Sequence, residues 1–298
     1  MGEITKGLVT GLLGGFYYVE CDGIVIETRA RGIFRKDNIK PCVGDMGIVE
    51  LSDDGKTGSL NEILPRKNSL VRPPVANLDQ LVLVTSIAQP QPNLLVLDKM
   101  IAICQHKGIE QIIVITKSDL ADTKAMEKIY KDAGFEVYTV CNTTGEGVAA
   151  VKEALNGKIS AFCGNSGVGK SSLLNSIDSR LTLDTAGIST KLGRGKHTTR
   201  SVELYKLENG GYVADTPGFS SVDLERYEII LKDEVQHCFR EFEPYIEHCR
   251  YTGCSHITDR DCAVLKALAE GKISKERHQS YVSMYEVSKQ IKEWEHDR

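Results

Sequence analysis

The spacing of hydrophobic residues changes along the chain, and the first 64 residues have the spacing of short strands. Apolar runs separated by glycine turns, without a helical period, predict five strands at residues 8–13, 16–20, 24–28, 47–51 and 58–63. Short strands of this kind are typical of a small barrel, either SH3-like or a five-stranded OB barrel. OB barrels often bind oligonucleotides, but this segment is mildly acidic, so a structural or adaptor role is an equal alternative to RNA contact.

After residues 66–74, which contain two prolines and are predicted to be a linker, apolar strands alternate with helices. The strands are predicted at 78–87, 111–116, 135–140 and 159–163, and the helices at 94–106, 122–133 and 147–155. This alternation predicts a doubly wound, mostly parallel sheet. A loop at 183–200 and a hairpin formed by 201–207 and 212–214 follow.

Beyond residue 221 the segments become helical and charged, and cysteines and histidines cluster between Cys238 and Cys262. A charged helix is expected from about residue 275 to the terminus. We therefore predict a multidomain protein with a β-barrel at 1–64, an α/β domain at 65–221 and a helical, metal-binding domain at 222–298.

Composition favours a soluble, cytoplasmic protein with no membrane partner. The 298 residues are 41% hydrophobic, and no run approaches the roughly 20 apolar residues that span a bilayer. The N-terminus lacks the layout of a signal peptide. Because nine is an odd number of cysteines and no export signal is present, reduced thiols and a metal site are favoured over disulfides.

The net charge of −4 gives no signature of nucleic-acid binding across the whole chain. Any RNA contact must come from a local patch, and one candidate is the loop that ends at residue 200. A solvated loop explains the same charges equally well. The cations of this loop are Lys191, Arg194, Lys196 and Arg200.

A glycine-rich segment joins the strand at 159–163 to a helix-like run, which is the context of a phosphate-binding P-loop. Its glycines let backbone N–H groups turn toward a pyrophosphate, and the helix presents its positive end to the same anion. Lys170 is placed to reach the terminal phosphates, and the Ser171 hydroxyl to bind Mg²⁺. The nucleotide-binding residues predicted here are Gly164, Asn165, Ser166, Gly167, Val168, Gly169, Lys170, Ser171 and Ser172.

A second motif selects the base. Thr116, Lys117, Ser118 and Asp119 come at the carboxyl end of the strand at 111–116, and they resemble the N/T-K-x-D motif of GTPases. An aspartate there accepts hydrogen bonds from the guanine N1–H and exocyclic amine, while the lysine stem covers the ring. The motif therefore predicts GTP. Cys141 and Asn142, after the next strand, resemble a degenerate base-contacting loop.

The remaining parts of a nucleotide switch follow the P-loop. Asp215 and Gly218 resemble the D-x-x-G motif, with Asp215 holding Mg²⁺ through water and the Gly218 N–H sensing the γ-phosphate. Thr198 or Thr199 is placed to be the switch threonine on Mg²⁺. Because the base motif precedes the P-loop, whereas ordinary GTPases have the reverse order, the sequence predicts a circular permutation.

The cysteine and histidine cluster predicts a metal centre. Cys249, Cys254, His256 and Cys262 supply three thiols and an imidazole, which suit a closed, structural Zn²⁺ site. The spacing is not the common paired C-x₂-C form, so free cysteines remain the alternative.

The whole chain resembles the RsgA (YjeQ/YloQ) family of GTPases that act in assembly of the small ribosomal subunit. The resemblance rests on the barrel, the permuted motif order, the cysteine knuckle, the segment G-R-G-K-H-T-T at 193–199 and D-T-P-G-F at 215–219. It implies an OB-fold barrel, one structural Zn²⁺, Mg²⁺ with GTP, and binding to the 30S subunit and its 16S rRNA. It also implies hydrolysis that the subunit stimulates and a late maturation checkpoint, performed by a monomer.

The residue after D-x-x-G is Phe219, where many GTPases carry the glutamine that orients the attacking water. Intrinsic hydrolysis is therefore expected to be slow, and His197 is the best side chain to position or polarise that water. A histidine that only contacts RNA or packs in the switch is an equal alternative. Two other functions remain open: a P-loop ATPase or kinase, which Lys117 and Asp119 disfavour, and a zinc-containing RNA-binding module that senses GDP or GTP with little turnover.

Overall fold

The N-terminal strands close into a barrel in the computed structural model, which describes residues 3–30, 40–53, 55–71, 74–181, 202–215 and 229–291. The strands are β1 (Ile4–Leu13), β2 (Phe16–Cys21), β3 (Ile24–Ala30), β4 (Met46–Leu51) and β5 (Thr57–Ile63). Neighbouring strands pair in the order β1-β2-β3-β5-β4, and β1 also pairs with β4, which closes the barrel. Val9, Val19 and Leu60 fill the interior and are buried completely. The five-stranded barrel expected from the sequence is confirmed, and its strand order is that of an OB fold.

The following α/β region contains the doubly wound sheet that the alternating pattern predicts. The strands are β8 (Gln80–Ser86), β9 (Glu110–Thr116), β10 (Glu136–Val140), β11 (Ile159–Cys163), β12 (Glu203–Lys206) and β13 (Tyr212–Asp215). The strand order is β10-β9-β8-β11-β13-β12, with β12 antiparallel to β13 and the other pairs parallel. Every residue of β8 is buried, as expected for a strand covered on both faces.

Helices cover both faces of this sheet. Ile101 and Tyr130 pack in the core on one face, and Val151 and Leu173 pack in the core on the other. The helices are α1 (Leu94–His106), α2 (Lys124–Asp132), α3 (Val148–Ala154) and α4 (Lys170–Ile177). Asn93 caps the start of α1, because its side chain accepts a hydrogen bond from the Val96 N–H.

Residues 66–74 were expected to be a linker, but Ser69 and Leu70 form a short strand and Arg66 bonds to the barrel, so that expectation is wrong for these residues. β6 (Ser69–Leu70) pairs with β7 (Val75–Ala76), and Leu70 and Val75 are buried. The Arg66 guanidinium donates to both oxygens of the buried Asp45 carboxylate, at 2.7 and 2.8 Å. The prolines suggested a linker, but the apolar side chains of Leu70 and Val75 gain free energy from burial.

The barrel and the α/β region also share a sheet. β1 pairs with β12 through Gly11 and Glu203, so the eleven strands β1–β5 and β8–β13 form one continuous hydrogen-bonded array. Lys206 on β12 forms an ion pair with Glu20 on β2 beside this junction.

The C-terminal region is helical, as predicted, and its core is continuous with the α1 face of the sheet. Phe239, Phe242 and Tyr281 pack in the same cluster as Ile101. The helices are α5 (Lys232–Val235), α6 (Glu243–Ile246), α7 (Ala263–Ala269) and α8 (Lys275–Ser288), with 3₁₀ turns at Gln236–Cys238 and Arg240–Phe242. Among the residues that the structure describes, no helix combines the length and apolar character needed to cross a bilayer.

Candidate nucleotide site and metal centre

The nucleotide motifs converge at the carboxyl edge of the parallel strands. The segment 164–169 joins β11 to α4, and Thr116 ends β9, two positions away in the sheet order. Because parallel strands present their carboxyl ends to one edge, motifs that are distant in sequence meet there. The edge therefore unites the predicted phosphate loop and base motif.

The phosphate loop has the backbone of an anion cradle. A Cβ on Gly164 would collide with the Val84 carbonyl oxygen of the neighbouring strand, so this position requires glycine. Gly169 has a φ of +97° and directly precedes α4, whose first residue is Lys170. The N–H groups of the first turn of α4 thus face the loop and favour a bound anion.

Lys170 lies over this loop. Its ammonium donates to the carbonyls of Gly164 and, at 2.9 Å, of Asn165. Burial lowers the pKa of Lys170 below its usual value, as expected for a cation held among backbone groups. Ser171 and Ser172 follow in the first turn of α4 and are partly buried.

The base motif packs directly against the phosphate loop. The buried Thr116 hydroxyl lies within bonding distance of the Val168 carbonyl and, at 3.1 Å, the Thr85 carbonyl. Lys117, at a φ of +60°, donates to the Gly167 carbonyl at 2.9 Å and also to the Gln89 carbonyl. Asp119 is exposed, so its carboxylate is accessible to a ligand.

The loop after β10 meets the same edge. The Cys141 N–H donates to the Glu146 carbonyl at 3.0 Å, which folds residues 141–146 into a tight turn. The Asn142 carboxamide donates from Nδ2 to the Gly169 carbonyl at 3.1 Å. Its Oδ1 atom is shielded from solvent and has no hydrogen-bond donor among the described residues.

Several predicted catalytic residues lie outside the described ranges. Asp215 ends β13, the strand next to β11, so its backbone is at the same carboxyl edge as the phosphate loop. His197, Thr198, Thr199 and Gly218 fall within 182–201 and 216–228, as do the cations proposed for RNA contact, and their roles stay predictions.

The cysteine and histidine cluster forms a compact donor set. The donor atoms of Cys249, Cys254, His256 and Cys262 all lie within 4.8 Å of one another. The Cys249 and Cys262 sulfurs are 3.8 Å apart, and the His256 Nδ1 is 3.6 and 3.4 Å from them. Zn–S bonds of about 2.3 Å at tetrahedral angles separate two sulfurs by about 3.8 Å, so the donors fit a tetrahedral ion.

The local backbone and electrostatics also suit a cation. His256 has a φ of +56°, and its Nδ1 lies next to the Cys249 and Cys262 sulfurs. Burial raises the pKa of the Cys254 thiol to about 12, and a bound cation is what would hold such a thiol as thiolate. Cys238, the first residue of the cysteine and histidine cluster in the sequence, is not part of this donor set, and its thiol donates to the Glu234 carbonyl at 3.4 Å.

Gln236 supports this centre, and sequence reasoning missed it. Its Oε1 lies 2.8 Å from the His256 Nε2, so a proton on Nε2 leaves Nδ1 free to bind the ion. The partner comes from the turn after α5, 20 residues before the histidine. No motif marks such a residue, because its role depends on tertiary packing alone.

Comparisons with known proteins cover nearly all of the chain. The model named "RsgA GTPase" matches residues 63–225, and the model named "RsgA N-terminal domain" matches residues 6–59. A protein of Caldanaerobacter subterraneus subsp. tengcongensis, called "Small ribosomal subunit biogenesis GTPase RsgA", is 45% identical over 299 residues, covering 99% of each chain. A protein of Bacillus cereus with the same name is 40% identical over 293 residues, covering 96% of this chain and 98% of the relative.

Two solved structures have the same architecture. The crystal structure of YjeQ from Thermotoga maritima gives a TM-score of 0.83 at 32% identity, covering 97% of this chain and 100% of that one. The structure of YloQ, described as a circularly permuted GTPase, gives 0.82 at 34% identity, covering 97% and 96%.

Proposed function

Since this chain belongs to the RsgA GTPase family, we propose that its GTP hydrolysis serves assembly of the small ribosomal subunit. Family membership confirms the permuted GTPase domain and the hydrolase activity expected from the motifs. The observation that carries the assignment is the contact between base motif and phosphate loop, where Lys117 donates to the Gly167 carbonyl. The curated relatives described above are named as biogenesis GTPases of this subunit.

We assign guanine selection to Asp119 and phosphate binding to the loop 164–172. The exposed Asp119 carboxylate is free to accept from the guanine N1–H and amine, and the Lys117 stem lies beside the loop to cover the ring. Lys170 exchanges its bonds to loop carbonyls for bonds to phosphate oxygens. Cys141 and Asn142 complete the base side of the site.

Mg²⁺ is the proposed partner of the nucleotide, held by the Ser171 hydroxyl at the start of α4 and, through water, by Asp215 at the end of β13. When bound, this ion neutralises charge that develops on the phosphates. Thr198 or Thr199 and the Gly218 N–H are the proposed contacts to the ion and the γ-phosphate.

In the proposed step, water attacks the γ-phosphorus, the bond between that phosphorus and the oxygen bridging it to the β-phosphate breaks, and GDP and inorganic phosphate leave while a proton of the water passes to solvent. Phe219 stands where a water-orienting glutamine is common, so the chain alone should turn over slowly. His197 is the proposed residue that orients the water once the 30S subunit and its 16S rRNA are bound. Hydrolysis would then set when the protein leaves the 30S subunit, late in its maturation. The protein would act as a monomer in the cytoplasm.

Zn²⁺ is the proposed ion of the cysteine and histidine centre. Three sulfurs and one nitrogen at tetrahedral spacing favour zinc over the oxygen-preferring cations. Its role would be structural, because four protein donors leave no coordination position open to a substrate.

Multiple-turnover hydrolysis with and without 30S subunits tests the proposal, with ATP as the parallel substrate. We expect slow GTP turnover alone, stimulation by the subunit and no hydrolysis of ATP. His197→Ala should lose the stimulated rate and keep GTP affinity, whereas Lys170→Ala should lose affinity. No stimulation of the wild type would contradict the ribosomal role, and loss of GTP affinity in His197→Ala would make His197 a binding residue.

A further inference from the structure

Three backbone segments must keep a fixed relative position for base and phosphates to bind together. They are the phosphate loop 164–169, the base motif 116–119 and the turn 141–146, which belong to the ends of three different strands. Thr116 and Lys117 join the base motif to the phosphate loop. The Ser118 N–H joins the base motif to β10, by donating to the Val140 carbonyl at 3.3 Å.

Asn142 makes the third connection, which joins the turn 141–146 to the phosphate loop. Its Nδ2 donates to the Gly169 carbonyl at 3.1 Å, which also accepts the Leu173 N–H of α4 at 2.9 Å. The Asn142 side chain therefore binds the same carbonyl that accepts a hydrogen bond from the first turn of α4. Packing is close here, since a Cβ on Gly169 would lie 2.9 Å from Asn142 Nδ2.

Hydrogen-bonding chemistry fixes the orientation of this amide. A carbonyl can only accept, so the group that faces Gly169 must be the NH₂ end of the side chain. The opposite atom, Oδ1, is buried without a donor among the described residues, so no bond at that end competes with the contact to Gly169. Thr116 does not duplicate the contact, because its single hydroxyl proton serves the Thr85 and Val168 carbonyls.

We propose that Asn142 is a positioning residue that locks the base-contacting turn to the phosphate loop and thereby couples recognition of guanine to binding of the phosphates. The inference rests on the proposed nucleotide site and adds to it a defined role for one side chain. If the turn moves relative to the loop, a nucleotide held by its phosphates no longer presents its base to Asp119 in the best geometry. Loss of the bond from Asn142 to Gly169 should therefore weaken the selectivity for guanine as well as the affinity for the nucleotide.

The test measures affinity for GDP and for inosine 5′-diphosphate, which lacks the exocyclic amine, in wild type, Asn142→Ala and Asn142→Asp. Asn142→Asp keeps the shape of the side chain and removes the N–H donor. We expect both variants to bind GDP about three- to tenfold more weakly, the size of one lost hydrogen bond. The ratio of the two affinities should fall toward one, and the loss should be greater for Asn142→Asp because its carboxylate faces the Gly169 carbonyl.

Thr143→Ala is the matched control, since Thr143 is the exposed neighbour in the same turn. It should leave both affinities and their ratio unchanged. A double-mutant cycle of Asn142→Ala with Asp119→Ala should be non-additive in GDP affinity, because Asn142 acts by positioning the base against the Asp119 carboxylate.

An unchanged ratio in both Asn142 variants overturns the inference, whether or not their melting temperatures fall. A purely structural role would lower the affinities for the two nucleotides together. A further titration of the wild type with ADP makes failure of the proposed function distinguishable, since that failure would appear as a wild type that does not prefer GDP over ADP.

Discussion

Two glycines in the turn after β10 share one backbone conformation and differ in their surroundings. Gly145 and Gly147 both have a φ of +79°. A Cβ on Gly145 would meet nothing within 4 Å, whereas one on Gly147 would collide with the Thr139 carbonyl oxygen. The pair therefore separates the cost of a left-handed backbone from the cost of a steric clash.

Gly145→Ala should lower the free energy of unfolding by about 1–2 kcal/mol, the cost of a left-handed alanine. Gly147→Ala should lower it clearly further, because β10 and the start of α3 must separate to admit the methyl group. Urea denaturation of the two variants measures the difference. Equal losses would mean that the backbone at Gly147 relaxes freely.

At the residue scale, the sequence could predict groups whose spacing is itself the signal. The glycines and Lys170 of the phosphate loop, and Thr116 to Asp119, are recognisable because they are contiguous. The bond from Asn142 to Gly169 and the bond from Gln236 to His256 join residues 27 and 20 positions apart, and no local pattern records them. Packing alone creates such pairs.

At the scale of elements, the metal centre is held by a segment with few helical bonds of its own. Between α6 and α7, residues 247–262 carry all four donors. The Tyr281 side chain of α8 braces it, because its hydroxyl donates to the backbone carbonyl of Ser255 at 2.8 Å. An ion that links four side chains would add much of the stability of such a segment.

Gln236→Ala should weaken zinc binding about 10- to 100-fold, the usual effect of removing the partner of a metal-bound imidazole. Gln279→Ala, on the exposed face of α8, is the control and should bind zinc as the wild type does. Competition with a chromophoric chelator gives both affinities, and complete removal of zinc should lower the melting temperature. Equal affinities in the two variants would show that His256 does not need Gln236.

Most elements could be predicted because each has a clear period. The bounds 94–106 and 159–163 agree with α1 and β11, and the helix predicted at 122–133 is observed as Lys124–Asp132. The linker prediction for 66–74 was wrong because β6 within it and its partner β7 just after it are each two residues long, too short to show a period. The burial of Leu70 depends on the barrel beside it.

At the scale of the whole molecule, junctions between regions were beyond prediction. The pairing of β1 with β12 joins residues almost 200 positions apart. In the sequence each of these strands could equally be the unpaired edge strand of its own sheet, so nothing indicates the pairing. One signal in the sequence was nevertheless usable. Asp98 interrupts the apolar run of α1, and a charge on a core face implies a buried partner.

That partner is Arg277 of α8. Its guanidinium bonds to Asp98 at 2.7 Å and to Glu241 at 2.7 Å, and the three side chains are 1%, 0% and 5% exposed, respectively. It also lies 4.5 Å from the centre of the Phe239 ring. The ion triad therefore fastens the C-terminal helix to the face of the nucleotide-binding sheet that carries α1.

Arg277→Met should lower the free energy of unfolding by about 3–5 kcal/mol near neutral pH, because two buried carboxylates lose their cation. Lys128→Met, which removes an exposed ion pair with Asp132, should cost at most about 1 kcal/mol.

Burial already raises the pKa of Asp98 above its usual value, and Arg277 opposes that rise. Without Arg277 the pKa rises further, so folding of the variant takes up a proton. Its stability then falls as the pH increases from the unfolded pKa of an aspartate through the raised folded pKa. Urea denaturation should therefore give a larger gap between wild type and Arg277→Met at pH 7.5 than at pH 5. A gap that is small, or that does not change with pH, would mean that water reaches Asp98 and that the triad does not fasten the two regions.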